Sequence, residues 1–537
     1  MMDLPLDIGV FSTIIENSYI YVDKTQFIYE LYRPGGKYFL ARPRRFGKSL
    51  LLRTMKELFK GNKKLFKNLY IYDKWDWTKT FPVIELDLGN VSKNSPEILE
   101  ESLNTYILRI ARNYEIELIS NDLVGRFTEL IEEIYNRTSK KLVILVDEYD
   151  KPIIDNIGEL KIADGNRKVL SNFYGVLKSN EKFIEFIFLT GVTKFSKTSI
   201  FSGLNNITDI TIHPKFSNIC GYSQEDLETQ FSKHLNNYAT SNNISCKELL
   251  KLIKEWYNGY SWDGKNQLYN PYSILSLLEI GEFDNYWFET GTPTFLMDFV
   301  KNNKNISVLL EDNPTIRGKF PNFDLKKLDF TTILLQTGYL TIKTKEVIVG
   351  ERSKYELTIP NREVAESLFT SIIKQYSNID DINLETLHEK ILNSLINLDK
   401  ESLQAAFDIL LSTVPSSIYG KIKKDIRESN YHMLFLVILR LIGFFVIGET
   451  PFSKGTPDIV LKKDNLVLVC EFKHGKKEED QKEEKGKTVD LNILAKKAMK
   501  QIKDKEYYKP YLDYDVVLLG VAFGEREVKI LLEPLTK

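Results

Sequence analysis

The chain has 537 residues, 43% hydrophobic and 27% charged, a composition typical of a soluble globular protein with roughly three or four domains. The net charge of −1 excludes an overall basic field, so any surface for nucleic acid must be local. Three cysteines without paired spacing, Cys220, Cys246 and Cys470, exclude a disulfide framework and suit a reducing compartment. The N-terminus has no basic region leading into a long apolar run, so we expect a cytoplasmic protein.

The first half of the chain alternates short apolar runs with amphipathic helical stretches. Strands are predicted over residues 38–41, 82–88, 142–146 and 183–189. The run Leu142-Val-Ile-Leu-Val146 is continuously apolar, which suits a parallel strand buried on both faces. This alternation predicts a three-layer α/β domain with a parallel sheet over residues 1–275, and a phosphate-binding loop within it, described below, would make it a P-loop NTPase domain.

Beyond residue 275 the pattern becomes mainly helical. Residues 328–342 predict a helix, a glycine turn and a strand, and Tyr355–Ile359 predicts a return strand. Together they give a winged-helix-like outline within a middle domain that spans residues 276–415. Helices are predicted across about 363–412.

The last part of the chain, residues 416–537, predicts a compact α/β module. Its apolar run from Met433 to Ile447 is shorter than the ~20 residues of a membrane-spanning helix, and Arg440 lies in its middle. The run therefore predicts a buried helix continuing into a strand, and we expect no membrane association. A segment rich in both charge signs, Lys476 to Lys487, predicts a solvated loop.

A phosphate-binding loop is predicted at Arg42-Pro-Arg-Arg-Phe-Gly-Lys-Ser49, between a strand and a helix. The usual pattern is G-x-x-x-x-G-K-[ST], so Gly47, Lys48 and Ser49 match while Arg42 replaces the first glycine. Backbone N–H groups at such a turn and the following helix N-terminus favour a phosphate. Lys48 would reach the β- and γ-phosphates of ATP, and the Ser49 hydroxyl would ligate Mg²⁺. The alternative for Lys48 is a solvated loop lysine.

Acidic residues follow the buried strand that ends at Val146. Asp147 is expected to hold Mg²⁺ through water, and Glu148 to polarise the attacking water. The alternative is that both cap the next helix. Thr190 and Thr193 end the neighbouring strand and are candidate sensors of the γ-phosphate, with capping of a turn as the alternative.

A second site is predicted where two apolar strands flank a polar turn near the C-terminus, a hairpin signal. Side chains alternate along a strand, so Glu471 and Lys473 share one face. With the turn centred near Asp464, Asp458 falls opposite Cys470, about one register step from Glu471. Two close carboxylates need neutralisation, and Mg²⁺ prefers oxygen ligands, so the pair predicts a metal site where Lys473 orients or deprotonates water. The alternative is a hairpin with surface ion pairs.

These features resemble the AAA-ATPase-like family that carries a C-terminal PD-(D/E)XK nuclease module. The resemblance covers residues 4 to about 300 and rests on the stretches at 6–9, 21–25, 42–50, 146–150, 189–193, 201–205 and 256–260. The family also has Arg-Pro before its Arg-Arg-Phe-Gly-Lys-Ser, so Arg42 is a family feature. The resemblance implies ATP binding and hydrolysis at the loop residues Arg42, Arg44, Arg45, Phe46, Gly47, Lys48, Ser49 and Leu50.

The resemblance also implies an endonuclease-like fold and site at the C-terminus, of the restriction-endonuclease type. Asp458, Glu471 and Lys473 match the Pro-Asp…Glu-x-Lys arrangement of these nucleases, and Gln501 matches their active-site helix. Tyr507 and Tyr508 follow as the family pattern expects. A further carboxylate would come from Glu428 or Glu449.

Two loop segments keep open alternatives. Tyr21, Asp23 and Lys24 match a family motif and either approach the nucleotide base or form a packed turn. Arg44 and Arg45 contact phosphate, act as arginine fingers on a neighbouring subunit, or are solvated loop charges. The second of these needs a homo-oligomer, which the sequence leaves open.

Two functions therefore stand beside each other. The first is an ATPase coupled to a Mg²⁺-dependent nuclease that acts on DNA, although RNA is not distinguished from DNA. The second is a nucleotide-gated regulator or scaffold whose C-terminal module binds nucleic acid or protein without cleaving. In that second function the wing-like stretch would meet phosphates or pack between domains, through Lys343, Lys345, Arg352 and Lys354.

Overall fold

The structure is a computed structural model that describes residues 2–195, 200, 206–287, 314–318, 325, 329–347, 349–377, 379–414, 435–443, 445–446, 457–474, 490–524 and 527–535. The stretch 201–205, the loop 476–487, Glu428 and Glu449 lie outside these residues. The chain forms two units, residues 1–296 with 315–364 and residues 297–314 with 365–537. The division into three domains near 275 and 415 stays a prediction.

A five-stranded parallel sheet organises the first unit, which confirms the predicted fold class. Its strands are β1 (Gly36–Ala41), β2 (Val83–Asp87), β3 (Leu142–Asp147), β4 (Ile184–Gly191) and β5 (Thr208–Asp209), in the order β2-β3-β4-β1-β5. Every residue of β3 and β4 is buried, as expected for strands covered on both faces. The two-residue strand β5 is too short to leave a sequence signal.

The first unit contains twelve α-helices among the described residues, and some of them begin at a side-chain cap. They are α1 (Phe11–Glu16), α2 (Thr25–Leu31), α3 (Lys48–Phe59), α4 (Pro96–Asn113), α5 (Leu123–Thr138), α6 (Lys151–Ile154), α7 (Leu160–Ser179), α8 (Gln224–Gln230), α9 (Ser232–Ser241), α10 (Cys246–Tyr257), α11 (Pro271–Ile280) and α12 (Phe330–Thr337). In α4, the Ser95 side chain accepts from the Ile98 N–H and Pro96 takes the first turn, a strong start signal.

The predicted helix, glycine turn and hairpin are present at the end of the first unit. Helix α12 ends at Gly338, whose φ of +96° lies in the left-handed region, and strands β7 (Thr341–Glu346) and β8 (Lys354–Thr358) follow. A short strand, β6 (Thr315–Arg317), completes an antiparallel sheet in the order β6-β8-β7. A Cβ on Gly338 would lie 2.7 Å from Cγ of Pro43, so this turn packs directly on the phosphate-binding loop.

The second unit contains helices and a mixed sheet. The helices are α13 (Arg362–Tyr376, which begins in the first unit), α14 (Asp381–Ile396), α15 (Lys400–Ser412), α16 (435–441) and α17 (Leu491–Lys505). The strands are β9 (Phe445–Val446), β10 (Ile459–Lys463), β11 (Leu466–His474), β12 (Asp515–Phe523) and β13 (Val528–Pro534). They lie in the order β13-β12-β11-β10-β9, with β11 and β12 parallel and the other pairs antiparallel.

The apolar run near residue 440 folds as predicted, a buried helix followed by a strand, in α16 and β9. In the part of the chain that the structure describes, we find no helix with the length and apolar character needed to cross a membrane. Helix α17 packs on β11, β12 and β13, and its inward side chains join strand residues in one core. This packing sets the helix beside the hairpin formed by β10 and β11.

Candidate functional site

The phosphate-binding loop links β1 to α3 through a backbone that only some residues adopt. Gly47 precedes the first helical residue with φ of +88°, and nothing lies within 4 Å of a Cβ placed on it. Glycine is therefore required here by the left-handed backbone conformation, and not by a lack of space for a side chain. The N–H groups of the first turn of α3 have no partner within the helix, so the loop and helix end favour an anion. Ser49 and Leu50 lie in this first turn, both half-buried.

Lys48 closes the loop on itself in this structure. Its Nζ is buried and donates to the carbonyl oxygens of Arg42 at 3.0 Å and Pro43 at 2.8 Å. Burial lowers the pKa of Lys48, while the nearby charges of Asp147 and Glu148 raise it. The ammonium is therefore held at the loop by two neutral carbonyl acceptors. A charged phosphate oxygen is a stronger acceptor and would displace them.

Arg42 anchors the start of the loop with a buried side chain. Its Nη1 donates to the carbonyl of Thr211 at 2.7 Å, and its guanidinium lies 4.0 Å from the ring centre of Trp262. Burial lowers the pKa of Arg42 to about 10. These contacts engage the side chain within the protein, so a role for Arg42 at the nucleotide would fall to its main chain.

Phe46 fixes the far side of the loop. Its ring is fully buried and meets the rings of Tyr260 and Trp262 edge-on, with centroids 4.9 and 5.0 Å away. Its carbonyl accepts from the N–H of Gly221, where a Cβ would come 2.9 Å from the ring. Phe46 therefore positions the loop backbone from inside the core.

The two arginines between these anchors are paired within the chain. Arg44 is half-buried, and its Nη2 lies 3.8 Å from Asp155, while its carbonyl accepts from the indole N–H of Trp287 at 3.2 Å. Arg45 is exposed, adopts φ of +62° and donates to Asp7 at 3.0 Å. Whether either acts on phosphate stays a prediction.

The carboxylates after β3 lie at the same sheet edge as the loop, with β4 between β3 and β1. Asp147 is buried and accepts a hydrogen bond of 2.5 Å from the hydroxyl of Thr190. Glu148 adopts φ of +50°, and burial raises its pKa, while Lys151 at 3.9 Å lowers it. Its Oε2 would lie 2.5 Å from a Cβ on Gly89, so a side chain at that position would have to displace this carboxylate.

The two threonines differ in what they contact. The Thr190 hydroxyl donates to Asp147, the carboxylate that is predicted to bind Mg²⁺, and the sensor role of Thr190 stays a prediction. The hydroxyl and N–H of Thr193 instead donate to the buried carboxylate of Asp150. Sequence reasoning did not assign Asp150 a role, although it lies in the acidic stretch after β3. Its burial raises its pKa, while these donors lower it.

An apolar pocket of about 60 Å³ opens beside Gly47, and sequence reasoning found only part of it. Tyr21 and Lys24 line it, whereas Asp23 turns away and accepts from the N–H and hydroxyl of Thr25. The other lining residues come from the N-terminal segment, the phosphate-binding loop with α3, residues 219–222 and the start of α11: Pro5, Ile20, Val22, Phe46, Leu50, Leu51, Ile219, Cys220, Gly221, Tyr222 and Pro271. The pocket is smaller than the ~300 Å³ of typical ligand sites, so it offers a nucleotide base an apolar wall to lie against and does not enclose it.

The C-terminal carboxylates face each other across the β10–β11 hairpin. The ladder pairs Ile459 with Cys470, so one further step sets Asp458 opposite Glu471. The prediction that Asp458 lies opposite Cys470 is therefore wrong by one residue, because the turn is centred between Asp464 and Asn465. The Asp458 carboxylate accepts from the N–H of Phe472 at 2.7 Å, which holds it at the strand edge.

Glu471, Lys473 and Gln501 form a chain of contacts beside Asp458. Lys473 Nζ donates to Oε1 of Glu471 at 2.9 Å and to Oε1 of Gln501 at 2.8 Å. The Glu471 side chain is 3% exposed and that of Lys473 31%. Burial raises the pKa of Glu471, Asp458 raises it further, and Lys473 lowers it. The structure thus brings together all four C-terminal residues that the sequence singled out.

A glycine in β12 sets the distance between Gln501 and the strands. Gly520 pairs with Glu471, and a Cβ on it would lie 2.7 Å from the carbonyl oxygen of Ala495. The backbone N of Met499 would lie 2.8 Å from the same Cβ, and Ala495 and Met499 are both buried. The helix therefore approaches the sheet closely enough for Gln501 to reach Lys473.

A divalent cation would fit the Asp458–Glu471 pair. The second oxygen of Glu471 is buried and has no hydrogen-bond partner among the described residues, and such an atom is costly unless something neutralises it. Within those same residues no three His, Cys, Asp or Glu side chains gather as a metal group. The described residues therefore contribute two carboxylates, a lysine and a glutamine to the cation site.

Family models match the N-terminal and C-terminal parts of the chain separately, and one relative matches nearly its whole length. A predicted AAA-ATPase family model matches residues 5–201, and a PD-(D/E)XK nuclease superfamily model matches residues 426–533. A protein of Azotobacter chroococcum mcd 1, described as an uncharacterized protein in the vnfD 5' region, is 34% identical over 524 residues, 97% of this chain and 96% of that protein.

One solved structure is also similar in part, the ORC2 protein of Aeropyrum pernix in its ADPNP–ADP complexes. It shares 9% identity, covers 65% of this chain and 91% of its own, and has a TM-score of 0.18. A likeness this slight carries no argument about fold or function.

Proposed function

Since the chain belongs to the predicted AAA-ATPase family with a C-terminal PD-(D/E)XK nuclease superfamily domain, we propose an ATP-dependent, Mg²⁺-dependent DNA nuclease. In this proposal the phosphate loop binds and hydrolyses ATP, and Asp458, Glu471 and Lys473 cleave phosphodiester bonds. The three-domain division and a cytoplasmic location belong to the same proposal.

The buried, unpartnered oxygen of Glu471 carries the nuclease proposal. The Glu471 side chain is 3% exposed, whereas the carboxylates of surface ion pairs stay open to water. Asp458 and Glu471 would hold Mg²⁺, which supplies charge neutralisation and an acidified water when bound. Lys473 would orient that water or accept its proton, and Gln501 holds the Lys473 ammonium in position.

The nucleotide half of the proposal is supported by the partners of the loop residues. Lys48 holds two carbonyls that a phosphate oxygen can displace, and the base would lie against the apolar wall beside Gly47. Ser49 and Asp147 would hold Mg²⁺ there, with Thr190 fixing Asp147. Glu148, whose pKa is raised by burial, suits the acceptance of a proton from the attacking water.

Cleavage of plasmid and single-stranded DNA tests the proposal. The full chain is incubated with Mg²⁺ or Mn²⁺, with and without ATP, beside Lys473→Ala and Asp458→Ala. We expect wild type to cleave and both variants to lose cleavage. The matched control is Lys503→Ala, an exposed lysine whose partner is Glu533.

The outcomes separate the two functions. Cleavage that survives in both variants would show that other residues cut the strand. No cleavage under any condition, with ATP turnover intact, would favour the nucleotide-gated regulator or scaffold that binds nucleic acid or protein.

A further inference from the structure

Helix α17 presents a stripe of three residues at four-residue spacing: Lys497, Gln501 and Lys505. Residues four apart lie on the same side of a helix, each about 6 Å further along its axis. The central residue, Gln501, contacts Lys473 of the carboxylate site. One lysine therefore lies a turn before the site, and the other lies a turn after it.

The rotation of α17 about its axis is fixed, so the stripe has a defined direction. Ala495, Ala498, Met499 and Ile502 are buried against the sheet, and Gly520 lets the backbones approach closely. Lys497 and Lys505 are exposed, and both lie on the flank of the helix that carries Gln501. Lys503 lies on the opposite flank.

Several lysines of α17 have no ion pair among the described residues: Lys496 and Lys500, which lie away from Gln501, as well as Lys497 and Lys505 on its side. Lys503 forms an ion pair with Glu533 of β13. In the described ranges, neither Lys497 nor Lys505 forms an ion pair or a hydrogen bond with its side chain, and Asp504 is the carboxylate that α17 itself carries. Lysines left without counter-charges on both sides of a buried carboxylate pair make a local basic surface in a chain with net charge of −1.

We propose that Lys497 and Lys505 bind the backbone phosphates on either side of the phosphodiester that is cut, so that the nucleic acid strand runs along α17. The inference rests on the proposed nuclease function and adds the path of its substrate. The stripe spans about 12 Å, and a strand carries one phosphate per about 3.4 Å, so it covers three or four successive phosphates. The lysines contact phosphate alone, so they confer affinity without sequence preference.

The salt dependence of binding tests this path without requiring cleavage. A labelled DNA duplex, the same sequence as single-stranded DNA, and the same sequence as RNA are titrated with full-length protein in EDTA, between about 50 and 200 mM salt. The variants are Lys497→Ala/Lys505→Ala, the charge-retaining Lys497→Arg/Lys505→Arg, and Lys503→Ala as the matched control on the opposite flank. Alanine is a better helix former than lysine, so α17 is retained.

In the double alanine variant we expect the negative slope of log K against log salt to become less steep, by about 1.8 for duplex DNA or about 1.4 for a single strand. Affinity at about 50 mM salt falls by roughly 15-fold per lysine for the duplex. The arginine variant and Lys503→Ala keep the wild-type slope. The nucleic acid whose affinity falls most in the double alanine variant is the type of strand that binds along α17.

A slope equal to wild type in the double alanine variant overturns the path along α17, and so does failure of wild type to bind any of the three probes. Failure of the nuclease proposal gives a different result. In that case wild type cleaves nothing, yet the slope still becomes less steep in the double alanine variant, and the stripe stands as a nucleic-acid-binding surface.

Discussion

The phosphate loop and the C-terminal carboxylate pair both bury charged side chains, but they neutralise them differently. At the loop, Lys48 holds two carbonyl oxygens and Asp147 holds the hydroxyl of Thr190. At the carboxylate pair, one oxygen of Glu471 is buried with no partner among the described residues. The first site is closed by its own backbone, whereas the second lacks one positive charge.

This difference teaches how each site would respond to its ligand. A ligand at the loop must displace contacts that already exist, so binding exchanges one set of hydrogen bonds for a stronger set. A cation at the carboxylate pair would displace nothing, and its binding would relieve a destabilising arrangement. Four experiments can break or sharpen this comparison.

The largest effect is expected from Glu471→Gln. Cleavage should fall roughly 10²- to 10⁴-fold, because the variant loses a carboxylate of the metal site. In EDTA the same variant should be more stable by about 1 kcal/mol, since a buried unsatisfied charge is removed. Denaturant unfolding with EDTA and with Mg²⁺ measures this, and Mg²⁺ should stabilise wild type and the control but not Glu471→Gln. Glu533→Gln, on an exposed glutamate, is the control, and a destabilised Glu471→Gln would contradict the comparison.

Lys48→Ala should weaken nucleotide binding by roughly 10- to 150-fold, the range for loss of hydrogen bonds to a charged group. Titration of the full chain with a fluorescent ATP analogue measures the affinity. Lys56→Ala is the control, because Lys56 lies on the same helix and pairs with Glu85. Equal affinity of Lys48→Ala and wild type would remove the phosphate loop from nucleotide binding.

Glu363 offers a buried carboxyl to compare with Glu471, since it accepts from the N–H of Trp287 and the hydroxyl of Ser273. Burial raises the pKa of Glu363 to about 8 from its usual 4.5. Its contribution to stability is therefore complete below pH 4.5 and is lost as the pH rises to about 8, at about 1.4 kcal/mol per pH unit. Glu363→Gln should flatten the pH dependence of the unfolding free energy over this range. An unchanged slope, equal to that of the exposed control Glu351→Gln, would exclude this role.

The smallest effect is expected where the glycine turn meets the loop. Gly338 and Gly350 both have φ in the left-handed region, +96° and +85°, so alanine should cost roughly 1 kcal/mol at either. A Cβ on Gly338 also meets Pro43, whereas nothing lies within 4 Å at Gly350. Because the Pro43 carbonyl holds Lys48, Gly338→Ala alone should weaken nucleotide binding, by roughly a few-fold. Identical nucleotide affinities in the two variants would separate the turn from the loop.

The sequence predicted the features that depend on local periodicity. The alternation of side chains along a strand predicted the pairing of Asp458 with Glu471 to within one residue. A continuous apolar run was enough to identify β3. An amphipathic pattern over about Ser95 to Tyr114 likewise predicted α4. These signals are contained within a few neighbouring residues, so no knowledge of the tertiary fold is needed to read them.

The contacts that hold the phosphate loop could not be predicted, because their partners are far away in the sequence. Arg42 is held by Thr211 and Trp262, and the Arg44 carbonyl by Trp287. No spacing rule connects residues so distant. Only part of the pocket beside Gly47 was predicted for the same reason, since its walls come from segments far apart in the sequence.

The indole of Trp287 gives the protein an optical property as well as a structural one. Two of the five tryptophans touch the phosphate loop, Trp287 through its hydrogen bond to Arg44 and Trp262 through the ring of Phe46. Indole emission follows the polarity and hydrogen bonding around the ring. A movement of this loop should therefore change the intrinsic fluorescence, so the protein carries its own reporter of the nucleotide state.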